Sequence, residues 1–378
     1  MGVGVSVGPT SWGWVMRLVA RGNTLVRTEC GVWFGDGPAI TMKHPPNTES
    51  KGSPQLPIID VAPLLSGVDE MHVAHQLDAA CRDVGFFLIT GHGIDPAELA
   101  EMDRLAREFF SRPETTKSRI SMTTGGPAWR GWFPVGDELT SGRPDRKEGL
   151  YVGSELGADD PRVINATPLH GANQFPHDPE ALGPAILAWI AALTPLAHAL
   201  MRGIALGLGL PGDWFVHNLT HDPTILFRIF HYPPGDDSDW GVAEHTDYGL
   251  LTLLAQDDSG GLQVHTAGEW TDVPADPGVI VCNLGDMLDR LTEGRYRSTP
   301  HRVRNLSGKS RLSFPFFFDP SWEAEVRPLP LEQSPPATDV RRRWDGADLQ
   351  LWEGAYGDYL AAKVAKVFPD LFGDTIEG

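Results

Sequence analysis

The feature that most limits the fold lies between Leu226 and Phe318, where apolar residues come in short runs broken by turn clusters. The clusters are Pro233-Pro234-Gly235, Asp257-Asp258-Ser259-Gly260-Gly261 and Asp276-Pro277-Gly278. Runs of about five to seven residues have strand length, and many such strands joined by regular turns specify a sandwich or barrel. Upstream the pattern differs. Leu56 to Val61 reads as an apolar strand, Val73, Leu77, Ala80 and Val84 as one face of a helix, and Phe86-Phe87-Leu88-Ile89 as a buried strand that Gly91-His92-Gly93 ends. Pro96 opens a second amphipathic helix through Leu99, Met102, Leu105, Ala106 and Phe109, which stops near Pro113. Pro184 to Leu210 is a long apolar helix, stopped by Gly207, Gly209 and Pro211, of the kind that packs beneath a sheet. Val340 to Phe368 is helical again and is expected to cover the outside of the β-region.

These patterns divide the chain into an irregular arm and linker (1–54), an α/β accessory region (55–165), a spine helix (166–215), a β-domain (216–322) and a C-terminal helical extension (323–378). The arm is rich in Gly, Val and Trp and lacks sustained periodicity. It makes a poor signal peptide: its start is uncharged, Arg17 and Arg21 interrupt the apolar stretch, and no A-x-A-like cleavage site follows. Met1-Gly2 with Ser6 fits the N-myristoylation pattern, although so loose a pattern recurs by chance. Met42 is a second candidate start, which would make the arm upstream sequence read in frame.

Among 378 residues, 31 are Lys or Arg and 50 are Asp or Glu, a formal net charge of −19. That balance argues against nucleic acid, whose binders gain affinity from cations that neutralise phosphates. No run reaches the ~18 consecutive apolar residues of a membrane span. Cys30, Cys81 and Cys282 are too few and too scattered for a disulfide framework and lack paired zinc spacing. The expectation is a cytoplasmic chain with no nucleic-acid or membrane partner, monomeric or weakly oligomeric.

Chemistry concentrates in two constellations. In Ala243-Glu244-His245-Thr246-Asp247, residues i and i+2 of an extended segment face one side, so His245 and Asp247 can aim at one point. His301, 54 residues after Asp247, begins another strand-like run and can supply a third ligand. Two imidazoles and one carboxylate on one face of an octahedron leave three positions open, the arrangement that O₂-using Fe(II) enzymes need. H-x-D alone is a common pattern near turns. A second pair adds weight: Arg311 and Ser313, again i and i+2, begin ten residues after His301 and make a carboxylate clamp on one strand face. The apolar run Phe314-Pro315-Phe316-Phe317-Phe318 marks that strand as buried, where an unpaired charge is expensive.

The segments His231-Tyr232-Pro233-Pro234, His245-Thr246-Asp247-Tyr248-Gly249, Gly260-Gly261-Leu262-Gln263-Val264, Asn283-Leu284-Gly285-Asp286, Ser298-Thr299-Pro300-His301-Arg302-Val303 and Arg311-Leu312-Ser313 resemble, in order and spacing, the isopenicillin N synthase-like family of iron/2-oxoglutarate oxygenases. Pro57-Ile58-Ile59-Asp60, Gly85-Phe86-Phe87 and His92-Gly93-Ile94 resemble that family's accessory region, so the likeness covers about residues 55 to 320. The resemblance implies a mainly β fold with flanking helices: a double-stranded β-helix, or jelly roll, with an α/β N-terminal accessory region. It implies that His245, Asp247 and His301 bind Fe(II), that Arg311 and Ser313 hold the distal carboxylate of 2-oxoglutarate with Tyr232 completing the site, and that O₂ is consumed, with ascorbate as a candidate reductant. The implied reaction couples decarboxylation of 2-oxoglutarate to hydroxylation, desaturation or cyclisation of a small organic substrate.

Arg228, Phe230 and Tyr232 share a strand face. Relatives often carry Asn where this chain has Phe230. Arg228 is expected to meet a substrate carboxylate or the co-substrate, against a purely structural ion pair. Phe317 matches an aromatic that faces substrate in relatives, and reads equally as core packing. Trp129, Arg130, Glu148 and Tyr151 match the part of the accessory region that folds over the site. Asn283 and Asp286 read as supports of the barrel and of the ligands. The alternatives are an oxidase or cyclase of the same fold that does not use 2-oxoglutarate, an ethylene-forming variant and, from another class, a non-enzymic metal-binding sensor. A zinc hydrolase fits less well, since no general base is partnered to the triad.

Overall fold

The computed structural model describes residues 6–10, 13–17, 56–235, 240–332 and 349–368, and the chain divides into two compact units, 1–52 and 53–378. In the first, β1 (Ser6–Thr10) and β2 (Gly13–Arg17) pair antiparallel. A hairpin thus occupies part of the arm expected to be irregular, because five-residue strands are too short to register as sustained periodicity. Met1, Gly2 and Met42, which carry the acylation and start-site expectations, lie outside the described residues.

The second unit opens with β3 (Ile58–Asp60), α1 (Ala62–Ser66), α2 (Glu70–Asp83), β4 (Phe86–Thr90) and α3 (Pro96–Phe110). Both longer helices start at an aspartate N-cap: Asp69 accepts from the His72 amide and Asp95 from the Ala97 amide. Helix α2 buries Val73, Leu77, Ala80 and Cys81, one stripe at i, i+4 spacing. Gly85 turns the chain from α2 into β4 at φ +72°, and a Cβ there would meet the Arg297 carbonyl oxygen at 2.1 Å, so only glycine fits. There follow α4 (Glu114–Lys117), β5 (Gly131–Phe133), the short ribbon of β6 (Leu139–Thr140) and β7 (Arg143–Pro144), β8 (Glu148–Gly153), α5 (Pro161–Ile164), α6 (Leu182–Gly207) and α7 (Trp214–Asn218).

Helix α6 is the expected spine. Ile186, Ile190, Leu193, Leu196, Leu200 and Ile204 are buried along it, and it packs on α2, α3 and the strands above. By length and composition it is long and apolar enough to cross a bilayer, the single described helix of which this holds.

The remaining strands alternate between two sheets. β9 (Pro223–Tyr232), β11 (Leu251–Gln256), β14 (Ile280–Leu284) and β16 (Arg311–Ser321) lie in a large sheet, while β10 (Val242–His245), β12 (Leu262–Thr266), β13 (Glu269–Asp272) and β15 (His301–Val303) form a small one. This alternation is the jelly roll. The accessory region is not a separate layer: the large sheet runs β3-β4-β14-β11-β16-β9-β8-β5, so its strands cover both edges of the jelly roll's inner four. Between β14 and β15 lies α8 (Asp286–Leu291). At the C-terminus α9 (Tyr356–Val367) is shorter than the stretch expected to be helical; 323–332 carries no helix, Leu349–Leu351 forms a single 3₁₀ turn, and 340–348 falls outside the described residues.

Candidate active site

His245 ends β10 and His301 begins β15, and the two are direct partners across the antiparallel ladder of the small sheet. Their ring centroids are 4.1 Å apart. Asp247 lies on the crossing from the small sheet to β11. Its Oδ2 accepts from Thr252 Oγ1 (2.6 Å) and Asn283 Nδ2 (2.7 Å), which face each other across β11 and β14. Its Oδ1 lies 3.9 Å from His245 Nε2 and 3.7 Å from His301 Nε2. The large sheet therefore holds one carboxylate oxygen and leaves the other to the imidazoles.

Ring orientation follows from the opposite nitrogens. His245 Nδ1 faces the Ala243 carbonyl at 2.9 Å and His301 Nδ1 the Thr299 carbonyl at 3.3 Å, so each Nδ1 donates and each Nε2 presents a lone pair. Burial, and then the neighbouring His245, lower His301 to about 4, while burial lowers His245. For Asp247 burial acts upward, but His301, His245, Asn283 and Thr252 outweigh it and keep the group below the usual carboxylate range. Neutral imidazoles and an ionised carboxylate are the protonation state a divalent cation requires. Among the described residues this is the cluster of His, Cys, Asp and Glu whose ligand atoms converge, all within 4.8 Å of one another.

Arg311 and Ser313 head β16, opposite Tyr232 and Phe230 of β9. Arg311 is 1 % exposed. Its Nε donates to the Gly260 carbonyl (2.7 Å) and its Nη2 to Gln256 Oε1 (3.0 Å), both neutral, while Nη1 is buried with no partner. Ser313 Oγ lies 3.5 Å from the Tyr232 hydroxyl, and the guanidinium rests 4.8 Å from the Tyr232 ring centre. The cation has no carboxylate within ion-pair distance among the described residues. An orphaned buried donor on an unmatched charge, beside two hydroxyls, is what an incoming carboxylate would satisfy.

Both groups line one cavity of about 420 Å³. Alternate residues of β9 (Leu226, Arg228, Phe230, Tyr232) and of β16 (Arg311, Ser313, Pro315, Phe317, Asp319) form its floor. Phe317 is therefore cavity wall. Trp129 and Arg130 do not line this cavity; they sit on a small neighbouring pocket behind Tyr151, where Arg130 Nη2 donates to the Leu169 carbonyl at 2.7 Å. Trp129 has a left-handed backbone (φ 47°) at the end of a short 3₁₀ turn, a feature that motif matching does not carry. Glu148 is likewise a tie, accepting from Lys117 (2.6 Å), Trp132 Nε1 (2.8 Å) and His231 Nδ1 (2.9 Å). Asn283 holds Asp247 as expected. Asp286 accepts from Ser298 Oγ (2.9 Å) and the Tyr359 hydroxyl (2.8 Å), bracing the His301 loop against α9.

Several site residues have no signal in the sequence. Glu138, Lys147, Asp319, Leu360, Lys363 and Lys366 all line the cavity, brought there by the β6–β7 ribbon, the end of β16 and α9. Gly249, which closes the ligand motif, has a structural reason for its place: a Cβ there would lie 1.4 Å from Asp319 Oδ1, so glycine lets the ligand loop pass the carboxyl.

Residues 56–178 match the family model for the N-terminal region of a non-haem dioxygenase in morphine synthesis, and residues 223–320 match that of the 2OG-Fe(II) oxygenase superfamily. A Dictyostelium discoideum protein named "Probable iron/ascorbate oxidoreductase" is 46% identical over 347 residues, covering 84% of this chain and 96% of its own. The 1-aminocyclopropane-1-carboxylate oxidase of the same organism is 36% identical over 353 residues, with the same coverage of 84% and 96%. Among solved structures, a 2OG-Fe(II) oxygenase family protein of Caulobacter crescentus superposes with a TM-score of 0.69 at 26% identity, covering 83% of this chain and 100% of that one. The chain belongs to the 2OG-Fe(II) oxygenase superfamily. It is an Fe(II)- and 2-oxoglutarate-dependent dioxygenase acting on a small molecule.

Proposed function

We propose that His245, Asp247 and His301 hold the iron and that Arg311, with Ser313 and Tyr232, holds the distal carboxylate of 2-oxoglutarate. The observation that carries this reading is Arg311 itself: a fully buried guanidinium, fixed by two neutral acceptors, with one nitrogen unfilled. An unmatched buried charge is expensive, and an incoming carboxylate would offset that cost. Iron with 2-oxoglutarate, when bound, supplies the oxidising power that takes a hydrogen atom from a substrate C–H bond at the expense of O₂.

The chain's own contribution is placement. The Nδ1 anchors of the two histidines fix their rings and Thr252 and Asn283 fix Asp247, so that the three residues would hold the iron from one side of the cavity. Tyr232 and Phe230 carry the floor from the carboxylate clamp towards Arg228 and Phe317. Apolar walls from Leu254, Leu262, Pro315 and Val303 keep water scarce around the reacting carbon. Hydroxylation is the default outcome, and desaturation or ring closure would follow where the cavity walls hold the substrate carbon differently. The net charge of −19 and a cavity of about 420 Å³ support a soluble small-molecule enzyme without nucleic-acid or membrane partners.

Replacing Arg311 by Leu tests the assignment. The expected result is a Kd for 2-oxoglutarate raised about thirtyfold or more, as for loss of a charge-assisted hydrogen-bond pair, with metal affinity retained. Unchanged 2-oxoglutarate affinity would refute the clamp.

A further inference from the structure

We propose that the substrate carries a carboxylate and that Arg228 is the residue that receives it, at the end of the cavity remote from Arg311. This deepens, and rests on, the reading of Arg311 as the co-substrate clamp.

Arg228 lies in the middle of β9 on the face shared with Leu226, Phe230 and Tyr232, and lines the cavity. Its guanidinium carbon sits 4.1 Å from the centre of the Tyr151 ring, its partner across β8, and 4.8 Å from that of Phe317 on β16. Ring faces attract the charge but offer no in-plane acceptor. Its nearest acid is Glu138, and that contact is long: 3.5 Å from Nη1 to Oε1. Glu138 is already engaged, Oε1 by the Tyr151 hydroxyl at 2.5 Å and Oε2 by Lys147 at 2.7 Å. Arg228 Nε is buried with no partner. A planar cation with aromatic neighbours, one shared acid and an unfilled donor presents an edge matched to a carboxylate.

Geometry separates this site from the co-substrate's. Arg311 is directly opposite Tyr232, and Arg228 lies four residues further along β9, about 13 Å at a strand's rise. Its guanidinium leans towards Phe317, which is paired with Leu226, and so away from Arg311. The four carbon–carbon bonds of 2-oxoglutarate span less than about 6 Å. A molecule held on Arg311 ends short of Arg228, which leaves Arg228 for the second ligand. Lys363 and Lys366 of α9 line the same cavity and add positive potential, while Phe230, Phe317, Leu226 and Leu360 offer apolar surface. The ligand class that fits is a small carboxylic acid with an apolar or aromatic body.

The test uses the full chain loaded anaerobically with Fe(II) and 2-oxoglutarate, titrated with a panel of short- and medium-chain aliphatic and aryl carboxylic acids, each paired with its primary amide. Binding is read from the visible absorption of the iron complex. The expected result is that at least one acid binds about tenfold or more tightly than its amide, and that Arg228→Gln narrows this ratio to about twofold while the Kd for 2-oxoglutarate stays unchanged. Arg228→Lys, which keeps the charge and loses the fork, is expected to fall between. No acid preference anywhere in the panel, or a preference that survives Arg228→Gln, overturns the proposal. Failure of the clamp reading shows separately, as an unaltered chain that does not bind 2-oxoglutarate at all.

Discussion

Asp247 uses its two oxygens differently, and the division sets the chemistry of the site. Oδ2 takes hydrogen bonds from Thr252 and Asn283 and so cannot swing, while Oδ1 faces both Nε2 atoms. Thr252→Val or Asn283→Leu removes one of the two anchors without touching a ligand. Each is expected to weaken Co(II) affinity about tenfold to a hundredfold, measured by titrating the metal's visible spectrum, with the fold retained by circular dichroism. Affinity equal to that of the unaltered chain would show that Asp247 is oriented by something else. Thr252 is a case of a residue that the sequence does not single out: it precedes a leucine in an ordinary β-run, and only the β11–β14 register sets it opposite Asn283.

At the scale of elements, the site depends on ties between segments far apart in sequence. Glu148 on β8 joins Lys117 of α4, Trp132 of β5 and His231 of β9 in one buried cluster. Lys117→Met leaves that carboxylate without its cation, and the expected cost is about 3–5 kcal/mol, read from urea unfolding. A loss below about 1 kcal/mol would mean that the pair is effectively solvent-screened. A second tie links β16 to α9: the Tyr356 hydroxyl donates to Asp319 at 2.5 Å. Burial raises Asp319 to about 7, with the Tyr356 hydrogen bond opposing it. An unfolded aspartate ionises near pH ~4. Between about pH 4 and 7 the folded chain therefore holds a proton that the unfolded chain has lost, and the stability from this group falls as pH rises through that window. In the metal-free protein, Asp319→Asn should gain Tm relative to the unaltered chain between about pH 5 and 7.5. Parallel Tm curves across that range would contradict the assignment.

Across the whole molecule, what was legible in the sequence is what repeats at i, i+2 on a strand. Arg311 with Ser313, and Arg228 with Phe230 and Tyr232, could be paired by pleat alone, while Asp247, two residues past His245, lies just beyond the end of β10 and is placed by Thr252 and Asn283; the turn clusters announced the β-domain that carries them. Of the accessory strands, β3 and β4 were visible as strands and β5 and β8 were not, and neither pair was visible as an edge of the jelly roll's own sheet, because strand order is a tertiary property. The same limit applies to Trp129 and Arg130, whose motif position suggested the site and which line the small pocket beside it. Glu138, Lys147 and the lysines of α9 reach the cavity through contacts with no local pattern to report them.

This fold brings the His245–Asp247–His301 triad and the Arg311 clamp onto one cavity. Succinate release from 2-oxoglutarate in the presence of Fe(II) and O₂ measures it most directly, comparing the unaltered chain with His245→Ala and Arg311→Leu. The expected result is iron-dependent succinate from the unaltered chain, abolished by His245→Ala, and restored in Arg311→Leu only at much higher 2-oxoglutarate. Substrate oxidation without succinate, or succinate release indifferent to both substitutions, would contradict it.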